Sequence, residues 1–268
     1  MAGEAWLEEN KLAWDARVPV HVASGSYDVD GFLAGRSTLE PYEPALLGNV
    51  AGRSLVHLQC HFGLDTLSWA RLGAEVTGLD LAPTAVLEAR KLAERAGLEA
   101  TFVEGNVYDA PELLRRRYDI VYTGLGAICW IPDLDRWAQV VARLLQPGGT
   151  LCLVEFHPLL STLADEGRRF VYDYFAREPI REPWGDSYAD PNARFEPLIV
   201  NDWVQPISLV FTALLKAGFS IEAFAEYPSA CYKAWPDMVA SADGFGRWTT
   251  PEGEPRIPLE YSLVAKLA

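Results

Sequence analysis

Residues 54–80 read SLVHLQCHFGLDTLSWARLGAEVTGLD. The stretch begins with an apolar run at residues 55–58, which is typical of a buried strand. A sharp connection at 59–63 follows, and residues 64–72 then carry apolar side chains at helical spacing. A second strand is predicted at 75–79, and it stops on an acid, Asp80. Strand, tight turn, helix, strand and acid form the first half of a nucleotide-binding α/β fold, in which such an acid accepts hydrogen bonds from a ribose diol.

The chain on either side of this stretch continues with alternating strands and helices. Further strands are predicted at residues 100–104, 118–123, 150–156, 219–227 and 259–267, and helices at 4–16, 39–47, 84–96, 112–117, 133–145 and 207–217, with a loop at 21–35. Regular alternation is typical of a right-handed, doubly wound parallel sheet.

Two long stretches, 157–206 and 228–258, show no clear period and contain many aromatic residues. Long irregular insertions in a compact domain are usually lids or binding loops. The sequence therefore predicts an N-terminal helical lid segment at residues 1–53, and a main domain at 54–268 with these two insertions. The insertions carry Tyr172, Tyr174, Phe175, Trp184, Tyr188, Trp203, Tyr232, Trp235, Phe245 and Trp248.

Composition and charge limit the kind of partner. The chain has 268 residues, half of them apolar, which is enough for a substantial core. A formal net charge of −14 would repel a polyanion, so we expect no nucleic acid partner. The run Arg115-Arg116-Arg117 is a local basic patch or, more simply, the solvated end of a helix.

Cysteine usage and the N-terminal residues indicate the compartment. The four cysteines (Cys60, Cys129, Cys152 and Cys231) lack metal-ligand spacing, which favours buried reduced thiols and no metal. The first residues are acidic and amphipathic and do not form a signal-peptide pattern, and no apolar run reaches membrane-spanning length. We therefore expect a cytoplasmic protein with a small-molecule substrate, no membrane partner, and a monomeric or homodimeric state.

Five motifs in order resemble the class I S-adenosylmethionine-dependent methyltransferases. They are VHLQCHFG at 56–63, VTGLD at 76–80, EGNV at 104–107, YDIVYT at 118–123 and LLQPGG at 144–149. The resemblance covers about 55–156, and the final helix and two strands continue it. It implies a Rossmann-like, doubly wound, seven-stranded and mostly parallel sheet with an antiparallel last strand. It also implies S-adenosylmethionine as cofactor.

The first turn departs from the family pattern. The family usually has Gly-x-Gly there, whereas this chain has Gln59-Cys60-His61-Phe62-Gly63, with His57 near the place of an acid. Asn106 stands where the family often has Asp beside adenine, and an amide can still hydrogen-bond the adenine edge. The form LQCHFGLDTLSWAR resembles a bacterial branch of methyltransferases whose substrates are unassigned.

The resemblance implies a role for each matching residue. Asp80 would bind the ribose hydroxyls, and Leu81 would pack on the adenine. Asn106 and Val107 would bracket the polar edge of the base. The remaining residues implied in cofactor binding are those of the methionine part (Gln59, Cys60, His61, Gly63) and those below the sulfonium (Thr123, Gly124).

Methyl transfer to a protic acceptor needs a base nearby. The candidates are His61 in the first turn, His157 after the fifth strand and Tyr27 in the N-terminal loop. Each has a plainer interpretation: His61 as a wall of the cofactor site, His157 as a cap of the strand end, and Tyr27 as lid packing. Glu155, in the fifth strand, faces the pocket or pairs with a cation, and Trp130 packs beside the cofactor or selects a substrate.

Three functions fit these patterns. The first is a methyltransferase acting on a small, apolar or aromatic molecule held under the ring-rich insertions. The second is a nicotinamide-dependent oxidoreductase, which the single glycine of QCHFGLD disfavours because a pyrophosphate needs a glycine-rich turn. The third is a non-catalytic relative that only binds the cofactor, which the altered first turn keeps open.

Overall fold

A seven-stranded sheet forms the centre of the molecule in the computed structural model, which describes residues 5–164, 167–243 and 246–268. Its strands are β1 (Ser54–Leu58), β2 (Glu75–Asp80), β3 (Ala100–Glu104), β4 (Tyr118–Thr123), β5 (Leu145–Phe156), β6 (Phe219–Tyr227) and β7 (Glu260–Leu267). The predicted helix start at Glu4 and the ring of Phe245 lie outside the described residues.

The order of the strands across the sheet is β6-β7-β5-β4-β1-β2-β3. β1 pairs in parallel with β2 and β4, β2 with β3, and β4 with β5. β7 lies between β5 and β6 and is antiparallel to both. The predicted fold class, a mostly parallel seven-stranded sheet with an antiparallel last strand, is confirmed.

Helices cover both faces of the sheet. They are α1 (Ala5–Ala23), α2 (Val29–Leu33), α3 (Glu43–Leu47), α4 (Leu64–Arg71), α5 (Pro83–Ala96), α6 (Ala110–Leu114), α7 (Leu134–Leu144) and α8 (Ile207–Lys216). Successive strand residues point to opposite faces. Val56 accordingly packs in the cluster that contains α7 and α8, while its neighbour Leu55 packs with Trp69 of α4.

The N-terminal segment differs most from its prediction. α1 continues seven residues past the predicted end at residue 16, through Pro19, and α2 forms inside the predicted loop at 21–35. A proline inside a helix removes one hydrogen bond, so the extension depends on tertiary burial. Asn10, Arg17 and His21 are buried at helical spacing on one side of α1, together with Ala13 and Val18.

The two insertions contain short strands where no period was evident. In the first, Ile180–Trp184 pairs antiparallel with Leu198–Asp202, and Leu163–Ala164 pairs with Gly167–Phe170. The second contains a small three-stranded sheet of Ser229–Ala230, Trp248–Thr249 and Val239–Ala240. Within the part of the chain that the structure describes, no helix is both long and apolar enough to cross a membrane.

Candidate active site

The turn after β1 has an unusual backbone. Gln59, His61 and Gly63 all have positive φ angles, of 59°, 50° and 83°. A Cβ on Gly63 would lie 2.7 Å from the ring of Phe102, so this position requires glycine. Left-handed residues other than glycine cost free energy and persist only where the surroundings fix them. The turn is therefore held by its contacts.

Asp80, at the end of β2, makes two of those contacts. Its Oδ2 accepts a hydrogen bond from the backbone N–H of His61 at 2.7 Å, and its Oδ1 accepts one from that of Ala82 at 2.9 Å. Burial raises the pKa of Asp80 to about 6, against the lowering effect of these backbone donors. The predicted ribose acid thus also ties the first turn to the second strand.

Two buried polar atoms beside this turn have no hydrogen-bond partner among the described residues. The Nε2 of Gln59 donates to the carbonyl of Ala127 at 2.8 Å, but its Oε1 is left without a donor. Thr123 is the last residue of β4 and pairs with Leu58 of β1, and its Oγ1 has no hydrogen-bond partner among the described residues. Because buried polar groups are nearly always satisfied, these two oxygens mark a place where a polar ligand group fits.

Glu155 organises the loop after β4. Its two carboxylate oxygens accept hydrogen bonds from the backbone N–H groups of Gly126, Ala127, Ile128 and Phe156. Burial nevertheless raises its pKa to about 7. Neither expectation for Glu155 was right: its carboxylate binds main-chain amides instead of facing the pocket or pairing with a cation. It fixes the loop that receives the Gln59 amide.

The other residues implied in cofactor binding lie around the same crevice edge. Asn106 caps a short 3-10 turn (Val107–Asp109) by accepting the N–H of Tyr108 at 3.1 Å, and Val107 is buried. Cys60 is buried, and its thiol lies 3.5 Å from the carbonyl of His61. Gly124 follows Thr123, and a Cβ on Gly124 would lie 3.2 Å from the Tyr122 hydroxyl.

Trp14 of α1 covers the first turn. Its ring lies 5.6 Å from that of His61, 5.1 Å from Trp130 and 5.5 Å from Trp184, all centroid to centroid and edge to face. Trp130 comes from the loop after β4, and Trp184 from the hairpin of the first insertion. The N-terminal segment, the sheet and the first insertion therefore meet at this ring.

Polar contacts fix α1 across the ends of the strands. Asp15 accepts the N–H of Thr84 in the first turn of α5 at 2.7 Å, and Lys11 pairs with Glu104 at the end of β3 at 3.0 Å. Arg17 is fully buried, donates to the carbonyl of Trp184 at 2.6 Å, and lies 3.6 Å from the centroid of that ring. Burial lowers its pKa to about 10.

Two of the three candidate bases come together. His61 lies in the turn, with its Nε2 2.9 Å from the Nδ1 of His21, and the Tyr27 ring lies 5.6 Å from that of His61. The Tyr27 hydroxyl shares a short hydrogen bond with that of Tyr188. Burial raises the pKa of Tyr27 well above its usual value.

His157, the third candidate, lies elsewhere. Its Nε2 is 3.1 Å from a carboxylate oxygen of Glu226 in β6, and its Nδ1 accepts the N–H of Leu159 at 3.2 Å. The side chain is buried, and burial lowers its pKa. Both ring nitrogens are engaged, Nδ1 within the loop after β5 and Nε2 with β6 across the intervening β7, which fits the capping interpretation.

Tyr188 and Cys231 lie close to Tyr27. Tyr188 is 53% exposed and Cys231 is also exposed, yet burial by surrounding protein raises the pKa of both groups. The expectation of buried thiols holds for Cys60 and Cys152 and is wrong for Cys231.

Three residues of this site were not predicted: Trp14 as a cover of the turn, Arg17 and His21. The signal was present as helical spacing, because residues 10, 13, 17 and 21 share one face of α1. Pro19 obscured it, and a face that contains Asn, Arg and His does not look buried.

Comparisons with known proteins agree with this architecture. A methyltransferase-domain family model matches residues 56–151. The ubiquinone biosynthesis O-methyltransferase of Cronobacter sakazakii is 30% identical over 192 residues, covering 70% of this chain and 76% of that protein. The protein of the same name from Photorhabdus laumondii is 26% identical over 192 residues, covering 70% of this chain and 77% of that protein.

Two solved structures share the fold. An S-adenosylmethionine-dependent methyltransferase from Mesorhizobium loti has a TM-score of 0.58 and 22% identity, covering 87% of this chain and 99% of that one. The DhpI–SAH complex has a TM-score of 0.58 and 16% identity, covering 99% of this chain and 98% of that one.

The strand order, the tight first turn and the acid after β2 define a Rossmann-like protein that binds a nucleoside-containing cofactor. With the sequence relatives, the assignment becomes specific. The chain belongs to the class I S-adenosylmethionine-dependent methyltransferases and is an enzyme that uses S-adenosylmethionine as its methyl donor.

Proposed function

We propose that this methyltransferase methylates a hydroxyl group of a small, largely apolar or aromatic molecule. The observation that carries the proposal is the aromatic cluster over the first turn, in which Tyr188 and Trp184 connect the rings of Tyr27 and Trp130. Aromatic walls favour flat, apolar ligands. The sequence relatives named above are O-methyltransferases, which supports oxygen as the acceptor atom.

Asp80 is proposed to hold the ribose. Its carboxylate accepts backbone N–H groups from His61 and Ala82, with Leu81 as a further backbone donor, and a carboxylate has about four acceptor sites in all. The acceptor capacity that remains on this rigid carboxylate suits a ribose hydroxyl. Leu81 would pack on the adenine, and Asn106 would offer its side-chain N–H₂ group to the base, because its Oδ1 is occupied by Tyr108. Val107 would complete that wall.

The methionine end is proposed to lie against the unpartnered oxygens of Gln59 and Thr123. Both are acceptors, and the amino group of an amino-acid tail is a donor that satisfies them. Cys60, His61 and Gly63 would form the backbone wall of this subsite, and Gly124 would let the sulfonium approach the end of β4. A hydrogen bond from a charged donor to a buried oxygen contributes more free energy than an ordinary neutral hydrogen bond does.

The cofactor supplies an activated methyl group when bound, so the protein acts mainly by orientation and exclusion of water. Trp14, Trp130 and Trp184 pack against one another over the turn. Of the candidate bases, His61 and Tyr27 lie beside this aromatic cluster, whereas His157 is occupied by Glu226 and Leu159. We therefore propose the first two as site residues and a structural role for His157.

Calorimetric titration tests the cofactor site. S-adenosylmethionine should bind and NADH should not. Asp80→Asn should weaken S-adenosylmethionine binding by about 1–3 kcal/mol, because a charge-assisted hydrogen bond is lost. Asp135→Asn, which removes an exposed carboxylate on α7, is the matched control and should leave binding unchanged. Equal affinities of folded wild type and Asp80→Asn would place the ribose elsewhere.

A set of matched acceptors tests the acceptor atom. Release of S-adenosylhomocysteine is measured with catechol, aniline and thiophenol, which share a ring and differ in the nucleophile. Catechol should be the preferred substrate. Turnover of aniline or thiophenol without turnover of catechol would make the hydroxyl assignment wrong while leaving the enzyme class intact.

A further inference from the structure

β5 continues past the end of β4, and this brings Glu155 to the loop that leaves the sheet there. Thr123, the last residue of β4, pairs with Leu153 of β5, and Glu155 follows two residues later. Alternate strand residues point to the same face, so Glu155 shares the face of Leu153. Leu153 packs in the cluster that contains α7 and α8, and Glu155 is 4% exposed. The carboxylate therefore lies inside the protein, where the loop from β4 to α7 begins.

Main-chain groups of this loop are bound from two sides. The carboxylate of Glu155 accepts the N–H groups of residues 126–128 at 2.5, 2.8 and 2.8 Å. At the end of the first insertion, the Nε2 of Gln205 donates to the carbonyl of Ile131 at 2.7 Å. Hydrogen bonds to an ionised group are stronger than those between neutral groups. Three successive amides that share one buried carboxylate give this part of the loop a fixed conformation.

The Ala127 carbonyl in this loop sets the orientation of the Gln59 side chain. A carbonyl oxygen only accepts hydrogen bonds, so the Gln59 atom that faces it at 2.8 Å is the Nε2 donor. The amide group is planar, and its Oε1 is then turned away from Ala127. This Oε1 is buried and has no hydrogen-bond partner among the described residues. Gln59 therefore offers an acceptor, and not a donor, to a ligand beside the first turn.

We propose that Glu155 is a positioning residue for S-adenosylmethionine: through the loop that it holds, it orients Gln59 so that Oε1 accepts a hydrogen bond from the ammonium group of the methionine tail. The proposal rests on the proposed function, because it requires the methionine subsite at Gln59. Glu155 itself makes no contact with the cofactor. It determines how tightly the amino-acid tail is held, whereas the ribose depends on Asp80.

A carboxylate is the side-chain group that this position needs. Glu155 faces four main-chain N–H donors, three from the loop and one from Phe156. A glutamine here would keep one acceptor oxygen and turn its NH₂ group toward main-chain N–H groups, so that donor would face donor. The loop would shift, and the Ala127 carbonyl would no longer hold the Gln59 amide. The amide could then turn and present its own N–H groups to the ammonium, which needs an acceptor.

Two nucleosides that differ in the tail test this role. S-adenosylhomocysteine carries the amino-acid tail, and methylthioadenosine has a methyl group in its place. Both are titrated by calorimetry into wild type and Glu155→Gln. The variant should bind S-adenosylhomocysteine about tenfold or more weakly, because a charge-assisted hydrogen bond is lost, and its affinity for methylthioadenosine should change less than about twofold.

A purely structural role of Glu155 gives a different result. Loss of support for the whole crevice would weaken both nucleosides alike, so equal losses, or no loss with either ligand, would overturn the proposal. Glu112→Gln, which changes an exposed carboxylate on α6, is the matched control and should alter neither affinity.

A double-mutant cycle tests whether Glu155 acts through Gln59. Gln59→Met keeps the length of the side chain and removes its polar atoms, and it should weaken S-adenosylhomocysteine binding about as much as Glu155→Gln does. The double variant should lose less than about threefold beyond Gln59→Met, because coupled residues are not additive. Losses that multiply in the double variant would mean that Glu155 acts by another route, and the proposal would be wrong.

Circular dichroism shows whether each variant is folded. If Glu155→Gln does not fold, Glu155→Asp takes its place, since its shorter side chain keeps the charge and reaches fewer of the loop amides. The same selective loss of S-adenosylhomocysteine affinity is expected. Unchanged affinity in Glu155→Asp, or in Gln59→Met alone, would overturn the proposal.

These measurements use no methyl acceptor, so they do not depend on the acceptor atom. If the wild-type protein binds neither nucleoside, the proposed cofactor site is wrong and this role of Glu155 is wrong with it. If the wild type binds both and Glu155→Gln shows no selective loss, the proposed cofactor site stands and only the role of Glu155 is wrong.

Discussion

At the scale of single residues, burial decides the chemistry more than position in the sequence does. His57 lies in the middle of β1, is 3% exposed, and its Nδ1 lies 2.8 Å from the Thr66 hydroxyl. Burial lowers its pKa from 6.5 to about 3. The folded protein therefore binds fewer protons at this residue than the unfolded chain does between these two values.

This difference gives a pH-dependent contribution to stability. It is fully present above pH 6.5 and is lost as the pH falls toward about 3. His57→Asn keeps a polar atom for Thr66 and removes the titration. The variant should be less stable than wild type at about pH 7.5, and the gap should narrow by about 2 kcal/mol at about pH 5. Urea unfolding at both pH values measures the gap, and a gap independent of pH would contradict the prediction.

Residue types in the site were predictable, but their partners were not. The position of Asp80 after an apolar strand was enough to mark it as a cofactor acid. Its bond to the N–H of His61 depends on left-handed backbone at Gln59 and His61, which neither residue type favours. Glu155 likewise looks like any acid in a strand until the loop after β4 brings three main-chain amides to it, with the N–H of Phe156 as the fourth donor.

At the scale of elements, α1 acts as a strap between the sheet and the first insertion. Asn10 is 2% exposed, and its side chain both donates to the carbonyl and accepts from the N–H of Asn201, each at 2.8 Å. Asn201 lies in the Leu198–Asp202 strand of the insertion. This reciprocal pair satisfies the buried main-chain N–H and C=O groups of Asn201 in the hairpin.

Asn10→Ala should therefore loosen the strap. Two buried main-chain groups would lose their partner, at about 1–3 kcal/mol each. Amide hydrogen exchange in residues 5–23 and 198–202 should accelerate at least about tenfold, while β1 and β4 stay protected. Leu12→Ala, at a 59% exposed position of the same helix, is the control and should leave exchange in both segments unchanged. Equal protection in Asn10→Ala and wild type would show that the strap is held elsewhere.

The strands of the sheet were predicted to within one residue except β5, which begins at Leu145, five residues before its predicted start at 150. β3, β4 and β6 have the predicted bounds. The hairpins in the insertions were not predictable, because a strand such as Ile180–Trp184 does not show the alternation of apolar and polar residues that marks a half-buried strand. The register of these hairpin strands depends on their pairing with one another and on contacts with α1. Those contacts cannot be read from the local sequence of either strand.

At the scale of the whole molecule, we propose that residues 1–53 form a helical lid segment folded onto the main domain, 54–268, with insertions at about 157–206 and 228–258. Trp6 packs on the core cluster of the sheet, with its ring 5.6 Å from Trp203. Phe32 of α2 is fully buried in the cluster that contains Phe62 and Phe102. The N-terminal segment thus shares two cores with the sheet.

Shared cores predict one cooperative transition. Urea unfolding followed by tryptophan fluorescence and by far-UV circular dichroism should give coincident curves. An early fluorescence phase that disappears in a Trp6→Phe/Trp14→Phe double variant would instead mean that the N-terminal segment unfolds by itself, and the proposed organisation would be wrong.

The position of β7 has a consequence for synthesis of the chain on the ribosome. β6 joins the sheet through β7, which is inserted between β5 and β6 although it is translated after both. Until residues 260–267 emerge, β5 and β6 both present an open backbone edge, which is a template for mispairing. A nascent polypeptide stalled before Glu260 should therefore depend on chaperones and be prone to aggregation, however complete its cofactor crevice already is.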